Sequence, residues 1–270
     1  MGEVVAMTGD GINDTIALKK ADIGLALGSG TEVAKESSDL ILLNNNFSII
    51  VDVIKEGRAI LDNIRKSITY LLSDGLTEFF LIGISIITKN PLPISAIQLL
   101  WVNLIEDGLP DIALAFEPKE KGLMKRKVKH GENLLTKEMK AIILIIALVG
   151  DVIHIGLWIW LSSQNYSIEH IRTMIFASLS LDSLLYVFSC KSLRLNLWHI
   201  DLFSNKFLVW SSLFGVVALV SSIYSPFLQT LLRTIPLQAH EWIIIIGLSL
   251  LDMAMIEFIK WHYIVKKDYE

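Results

Sequence analysis

Apolar residues follow two different patterns along this chain. Up to about residue 46 they come in short runs broken by Gly, Asp, Ser and Lys. Beyond residue 66 they come in blocks of about 20, the length a helix needs to cross the hydrocarbon layer of a bilayer. In the first region Glu3-Val4-Val5-Ala6-Met7 predicts a buried strand, stopped by the turn residues Thr8-Gly9-Asp10-Gly11. Asn13-Asp14 precedes a short helix over Thr15–Lys20, acid first and base last as the helix dipole prefers. Ile23–Leu27 predicts a second strand. Gly28-Ser29-Gly30-Thr31 turns into a helix over 32–37, and Leu40–Leu43 predicts a third strand. Alternating strands and helices with short loops imply a parallel α/β sheet. Its functional loops are expected at the carboxyl ends of the strands, where Thr8–Asp14 lies.

The apolar blocks predict six membrane spans, at about 67–88, 94–116, 139–162, 168–188, 206–225 and 241–261. Between the two regions, Phe47, Ile50, Val53, Ile54, Ile60 and Ile64 recur at helical spacing. They predict a stalk over 47–66 that runs continuously into the first span. The expected organisation is therefore a soluble head over 1–46, the stalk, two spans over 67–116, a basic loop over 117–138, and four further spans with a short tail over 139–270.

Composition agrees: 53% of the 270 residues are hydrophobic and 19% charged, against roughly 45–50% and about 25% in a soluble domain. A net charge of −4 argues against nucleic acid as a partner. The one cysteine, Cys190, has no second cysteine to pair with, and residues 1–30 lack the basic-then-apolar order of a secretory signal. Lys and Arg number eight in loop 117–140, three in 189–206 and three in 260–270, and one or none in the alternate loops. Basic loops stay cytoplasmic, so the head and the C-terminus are expected on that side.

In the head, Asp10 and Asp14 are hard oxygen donors spaced across one turn. Mg²⁺ takes one or two carboxylates with phosphate oxygens and water. Gly9 and Gly11 allow close backbone approach, and Asn13 offers an amide. An ordinary Asp/Asn/Gly turn explains the same residues.

Within the spans, the first carries Asp74 and Glu78, four apart on one face. The second carries Asn103, Glu106 and Asp107 within a third of the helix circumference, at about 100° per residue. Each ionised acid near mid-bilayer costs at least about 2.5 kcal/mol, so four together exceed roughly 10 kcal/mol. Gly108-Leu109-Pro110 breaks the helix ladder beside them, and freed carbonyls make cation ligands. Asp182 adds a further acid. Hydrogen bonding between helices, or exposure near the membrane surface, is the alternative reading of these groups. Asp151 and His154 offer a proton relay, but a satisfied pair facing the bundle is the favoured reading, and Asp252 and Glu257 read as structural or near-surface.

The run Met7-Thr8-Gly9-Asp10-Gly11-Ile12-Asn13-Asp14, continued by Ala17-Leu18-Lys19-Lys20-Ala21-Asp22-Ile23-Gly24, resembles the hinge motif of P-type ATPases. The resemblance implies part of a haloacid-dehalogenase-like phosphorylation domain. It gives Asp10 as a ligand of catalytic Mg²⁺, Asn13 as a contact of the phosphoryl group delivered by ATP, and Asp14 as their support. Gly28-Ser29-Gly30-Thr31 matches as well. Gln98-Leu99-Leu100-Trp101-Val102-Asn103-Leu104, with Asp107-Gly108-Leu109-Pro110, is similar to the sixth membrane helix of calcium-type pumps. By that likeness Asn103 and Asp107 are cation ligands, and Glu106 stands where the family often has threonine. Glu78 matches the ligand glutamate of the fifth helix, and Asp182 lies where an eighth-helix carboxylate is expected. The chain departs from the pattern at Gly75, where asparagine is frequent, with Asp74 next to it.

The sequence holds no DKTG motif for the phosphorylated aspartate, no TGE-type loop and no recognisable nucleotide domain. The expectation is therefore the C-terminal third of an ATP-driven cation pump, with Ca²⁺ the favoured cargo and no activity on its own. Its expected partners are the cation, the lipid bilayer and the missing N-terminal part, with Mg²⁺ and ATP serving the complete enzyme. A non-catalytic remnant or split-pump subunit is the alternative. A passive channel leaves the Mg²⁺-phosphate loop unexplained.

Overall fold

The computed structural model describes residues 4–44, 46, 48–120, 122–125, 133–164 and 166–262. Glu3, Phe47, much of the basic loop and the tail beyond 262 lie outside the described residues, with the expectations that fall on them. The chain divides into two compact units, Met1–Leu61 with Lys119–Asn133, and Asp62–Pro118 with Leu134–Glu270.

The first unit holds a three-stranded parallel sheet in the order β1 (Ala6–Gly9), β2 (Ile23–Leu27), β3 (Leu40–Leu42). Ala6 pairs with Ile23, and Leu25 with Leu40. The first strand extends past the apolar run to Gly9, because the parallel ladder continues to Ala26. Helix α1 (Thr15–Lys20) and α2 (Glu32–Glu36) are the crossovers. The Thr31 hydroxyl caps α2 by accepting from the Ala34 N–H. Side chains tie the strand ends: Asp22 accepts from the Val5 N–H at 2.9 Å, and Asp39 from the Gly24 N–H at 2.7 Å. Gly24 is required there, since a Cβ would sit 2.7 Å from the Leu18 carbonyl oxygen. The structure thus shows a small parallel three-stranded sheet in this unit.

Helix α3 runs unbroken over 40 residues, Ser48–Ile87. Near its start Glu56 pairs with Lys119, and Arg58 donates to the carbonyls of Leu123 and Met124, holding the described part of that loop.

The second unit is helical: α4 (Ala96–Trp101), α5 (Gly108–Leu114), α6 (Lys137–Ser163), α7 (Ile168–Ser189), α8 (Lys206–Tyr224), α9 (Pro226–Leu232) and α10 (Ala239–Lys260). Among the described residues five helices, α3, α6, α7, α8 and α10, are long and apolar enough to cross a membrane. The expected span 94–116 is instead α4, a π-helical turn over Val102–Glu106, and α5. The break falls one turn earlier than the Gly108-Leu109-Pro110 signal. Asp107 N–H reaches back five residues to the Val102 carbonyl at 3.0 Å. Pro110 then lies in the first turn of α5, where its missing N–H is tolerated.

Helix α7 is central, with 78% of its most apolar stretch buried against 28% for α10. Its Met174, Ile175, Phe176 and Ala177 pack with Leu81, Val102, Leu161 and Ile245. The Tyr70 and Tyr186 rings pack tilted against each other, centroids 5.2 Å apart, in a second cluster that also contains the buried Cys190, a free thiol.

One end of this bundle is closed by buried charge. The Lys191 ammonium lies 2.9 Å from the Glu117 carboxylate, and Asn205 donates to the same carboxylate at 3.0 Å. Asn63 donates to the Glu117 carbonyl at 2.8 Å. Glu257, expected to be structural, accepts from Asn196 and from the Leu197 N–H, while Lys260 donates to the Ser189 carbonyl. Glu117 and Lys191 are almost wholly buried, so removing one partner strands the other charge. Lys191→Met is expected to lower stability by about 3 kcal/mol or more in equilibrium unfolding in mixed micelles. Adding Glu117→Gln should restore part of that loss. An unchanged single variant would show the pair to be dispensable.

Candidate functional site

Two sites carry chemistry, one in each unit. In the first, the chain leaves β1 at Gly9 and turns through Asp10-Gly11 into a 3-10 turn over Ile12–Asp14. The Asp14 carboxylate faces back into this turn and accepts the N–H groups of Asp10 and Gly11, both at 3.1 Å. Asp14 therefore shapes the loop. The Asp10 carbonyl accepts from the Thr31 N–H at 2.8 Å, which joins the loops after β1 and β2. Gly30 lets them approach, since a Cβ there would lie 3.0 Å from the Asp10 carbonyl oxygen. The Asp10 and Asn13 side chains are exposed and make no hydrogen bond among the described residues. The loop thus holds one unengaged carboxylate and one unengaged amide beside each other, at the carboxyl edge of a parallel sheet. That donor set fits Mg²⁺, which keeps water and phosphate oxygens in most of its shell.

The second site lies where α3 passes the break between α4 and α5. The Asn103 amide donates to the Glu78 carboxylate at 2.7 Å and to the Leu99 carbonyl at 3.0 Å. Glu78 is half-buried and Asn103 exposed, so this pair is open on one side of the unit. Asp107 is buried. Its Oδ1 accepts from the Tyr70 hydroxyl at 2.8 Å and the Ser183 hydroxyl at 2.6 Å, and its buried Oδ2 has no hydrogen-bond donor among the described residues. The Asp74 carboxyl lies beside it.

Glu106 points elsewhere: its Oε1 accepts from the Trp101 indole at 2.9 Å, and its Oε2 is buried with no well-aligned partner among the described residues. The π-helical turn separates these neighbours. Asp182 does not reach the Glu78–Asn103 pair. It lies 3.0 Å from His154 Nε2, off hydrogen-bond alignment, and lines a small cavity with Asp74, His154 and Asp252. With about 10 Å³ for a water centre, this cavity has room for about one water. His154 therefore faces Asp182, its Nδ1 lying 2.7 Å from the Gly150 carbonyl, and the expected Asp151 pairing is not formed.

Among the described residues no three His, Cys, Asp or Glu side chains stand close enough to hold a metal ion by themselves. The oxygens meet instead in two groups of mixed type, Glu78 with Asn103 and Asp107 with Tyr70 and Ser183. Tyr70 and Ser183 were not singled out from the sequence. Tyr70 precedes Asp74 by four and Glu78 by eight, so helical spacing carried a signal for it. Nothing in the sequence distinguished Ser183 from Asp182.

Residues 91–262 match the family described as cation transporting ATPase, C-terminus. The chain is 38% identical over 251 residues to the calcium-transporting ATPase of Bacillus subtilis, covering 92% of this chain and 28% of that protein. It is 35% identical over 276 residues to calcium-transporting ATPase 1 of Bacillus cereus, covering 96% of this chain and 31% of that protein. Calcium-transporting ATPase type 2C member 2 of Rattus norvegicus is 34% identical over 264 residues, covering 96% and 28%. The chain thus spans less than a third of the length of these relatives.

Proposed function

The chain belongs to the cation-transporting P-type ATPases, matching their C-terminal part, and on that premise we propose that it supplies the hinge loop and much of the intramembrane ion site of an ATP-driven Ca²⁺ pump. The observation that carries this is the group of hard oxygen donors around the α4–α5 break. Glu78 and Asn103 bond across two chain segments, and Asp107 lies one turn on with a buried oxygen that has no hydrogen-bond donor among the described residues. Carboxylate, amide and hydroxyl oxygens suit Ca²⁺, which takes six to eight oxygen ligands and dehydrates more readily than Mg²⁺. The relatives named above are calcium-transporting ATPases, which points to the same cargo.

In this reading 94–116 serves as a sixth span, broken at membrane depth where it lines the ion path. The exposed side of Asn103 is completed by membrane helices from the N-terminal part of the pump. Residues 1–46 belong to the phosphorylation domain and 47–66 to the stalk, and 117–138 is a cytoplasmic loop ahead of the spans in 139–270. The basic loops set the head and the C-terminus on the cytoplasmic side. Asp10 would hold Mg²⁺, whose charge, when bound, offsets that of a transferring phosphoryl group. Asn13 would orient that group, and Asp14 keeps the loop in shape.

The test is ion-stimulated ATP hydrolysis by the complete pump, scanned over Ca²⁺, Mn²⁺, Na⁺ and K⁺. Stimulation by Ca²⁺ well ahead of the monovalent ions is expected. Stimulation by Na⁺ or K⁺ alone would overturn the assignment of the cargo.

A further inference from the structure

At the end of the bundle where α3 finishes and α4 and α7 begin, a cavity of about 190 Å³ is lined by Ser95, Gln98, Glu169, Arg172 and Arg233, among others. Its polar groups are mostly unused donors. Arg172 donates from Nε to the Leu92 carbonyl at 3.0 Å, which fixes the plane of its guanidinium. Its other N–H groups have no partner among the described residues. Arg233, the residue after α9, adopts the left-handed conformation, with φ 55° and ψ 43°. Its side chain makes no hydrogen bond or ion pair among the described residues.

Gln98 is wholly buried. Its Oε1 accepts from the Ser95 N–H at 3.0 Å, and its Nε2 has no partner among the described residues. Two guanidinium groups against the one exposed carboxylate of Glu169 leave the cavity cationic.

A small, cationic concavity whose unused groups are donors complements a tetrahedral oxyanion. Guanidinium forks grip phosphate through paired N–H bonds. The volume is below the roughly 300–1,000 Å³ of pockets for drug-sized ligands, which suits a headgroup. The cavity also lies at the ends of apolar spans, at the depth where lipid headgroups sit. We propose that this cavity binds a phosphate oxyanion, either the phosphodiester of an anionic lipid or free phosphate.

The full chain, purified in neutral micelles, tests this by native mass spectrometry with three probes: phosphatidylglycerol, diacylglycerol of the same acyl chains, and inorganic phosphate. One phosphatidylglycerol is expected to stay bound, and no diacylglycerol. Arg233→Gln, which loses no hydrogen bond or ion pair within the described residues, should weaken retention on the order of tenfold or more. Arg172→Lys, which keeps the charge but loses the fork, should weaken it as well. Binding of phosphatidylglycerol without inorganic phosphate would identify a lipid as the source, and binding of inorganic phosphate lost in Arg233→Gln would identify a free anion. Equal retention of phosphatidylglycerol by the parent chain and both variants would overturn the proposal. So would retention of diacylglycerol as strong as that of phosphatidylglycerol, or binding of neither phosphate-bearing probe.

Discussion

Replacing Asp107 with asparagine is expected to lower the Ca²⁺ affinity of the complete pump by about two to three orders of magnitude. The carboxylate is buried, and one of its oxygens accepts two hydroxyls, from Tyr70 and Ser183. The other oxygen is buried with no hydrogen-bond donor among the described residues, and the Asp74 carboxyl lies beside it. A full negative charge placed this way, next to Asp74, is costly unless a positive charge arrives to meet it. Asparagine keeps the volume and removes the charge. It also sets an amide N–H where one carboxylate oxygen stood, against two hydroxyls or against the ion. Equilibrium binding of radiolabelled Ca²⁺ measures the effect, with circular dichroism to show that the helices remain. Glu106→Gln should cost far less, because Trp101 holds that carboxylate off the shared group. If Glu106→Gln were as damaging as Asp107→Asn, the π-helical turn would not sort the two acids as described.

Asp10→Asn is expected to reduce phosphoenzyme formation from ATP in the complete pump by about two to three orders of magnitude. The substitution leaves the loop intact, because the contacts that shape it come from elsewhere. Asp14 accepts the N–H groups of residues 10 and 11, and the residue 10 carbonyl accepts from Thr31. What is lost is the one free carboxylate at the strand edge, and with it the charge that would hold Mg²⁺ beside the phosphoryl group. Acid-stable labelling with radioactive ATP reads the result, and the Mg²⁺ dependence of any residual labelling should shift to higher concentration. Asp14→Asn acts through the fold of the loop instead, so it should also lower the melting temperature. Labelling at the parent level in Asp10→Asn would remove the role assigned to that residue.

Much of this architecture was legible in the sequence because it is set over short distances. Strand, turn and helix alternate in the first 43 residues under Gly, Asp and Thr signals that act within a few positions. The parallel sheet follows, since short crossovers leave few other arrangements. Apolar blocks long enough to span a bilayer stand out by length alone, and five of the six expected spans form as long helices. The sixth breaks, and the Gly-Leu-Pro signal announced the break without placing it. The discontinuity lies at Val102–Glu106, where the chain takes a π-helical turn.

The sequence by itself determined the parallel strand–helix order, the apolar spans and the presence of acids within them, because each depends on neighbours a turn or a strand away. Only the tertiary structure decided which side chains meet. Ser183 rather than Asp182 bonds to Asp107, although the two are adjacent, because a step of about 100° around a helix hands one to a different neighbour. Glu106 went to Trp101 and Asp107 to Tyr70 for the same reason. Lys191 found Glu117 across a long stretch of intervening chain. Such pairings follow from how helices pack against one another, and a linear pattern does not record rotation about a helix axis once several helices share one core.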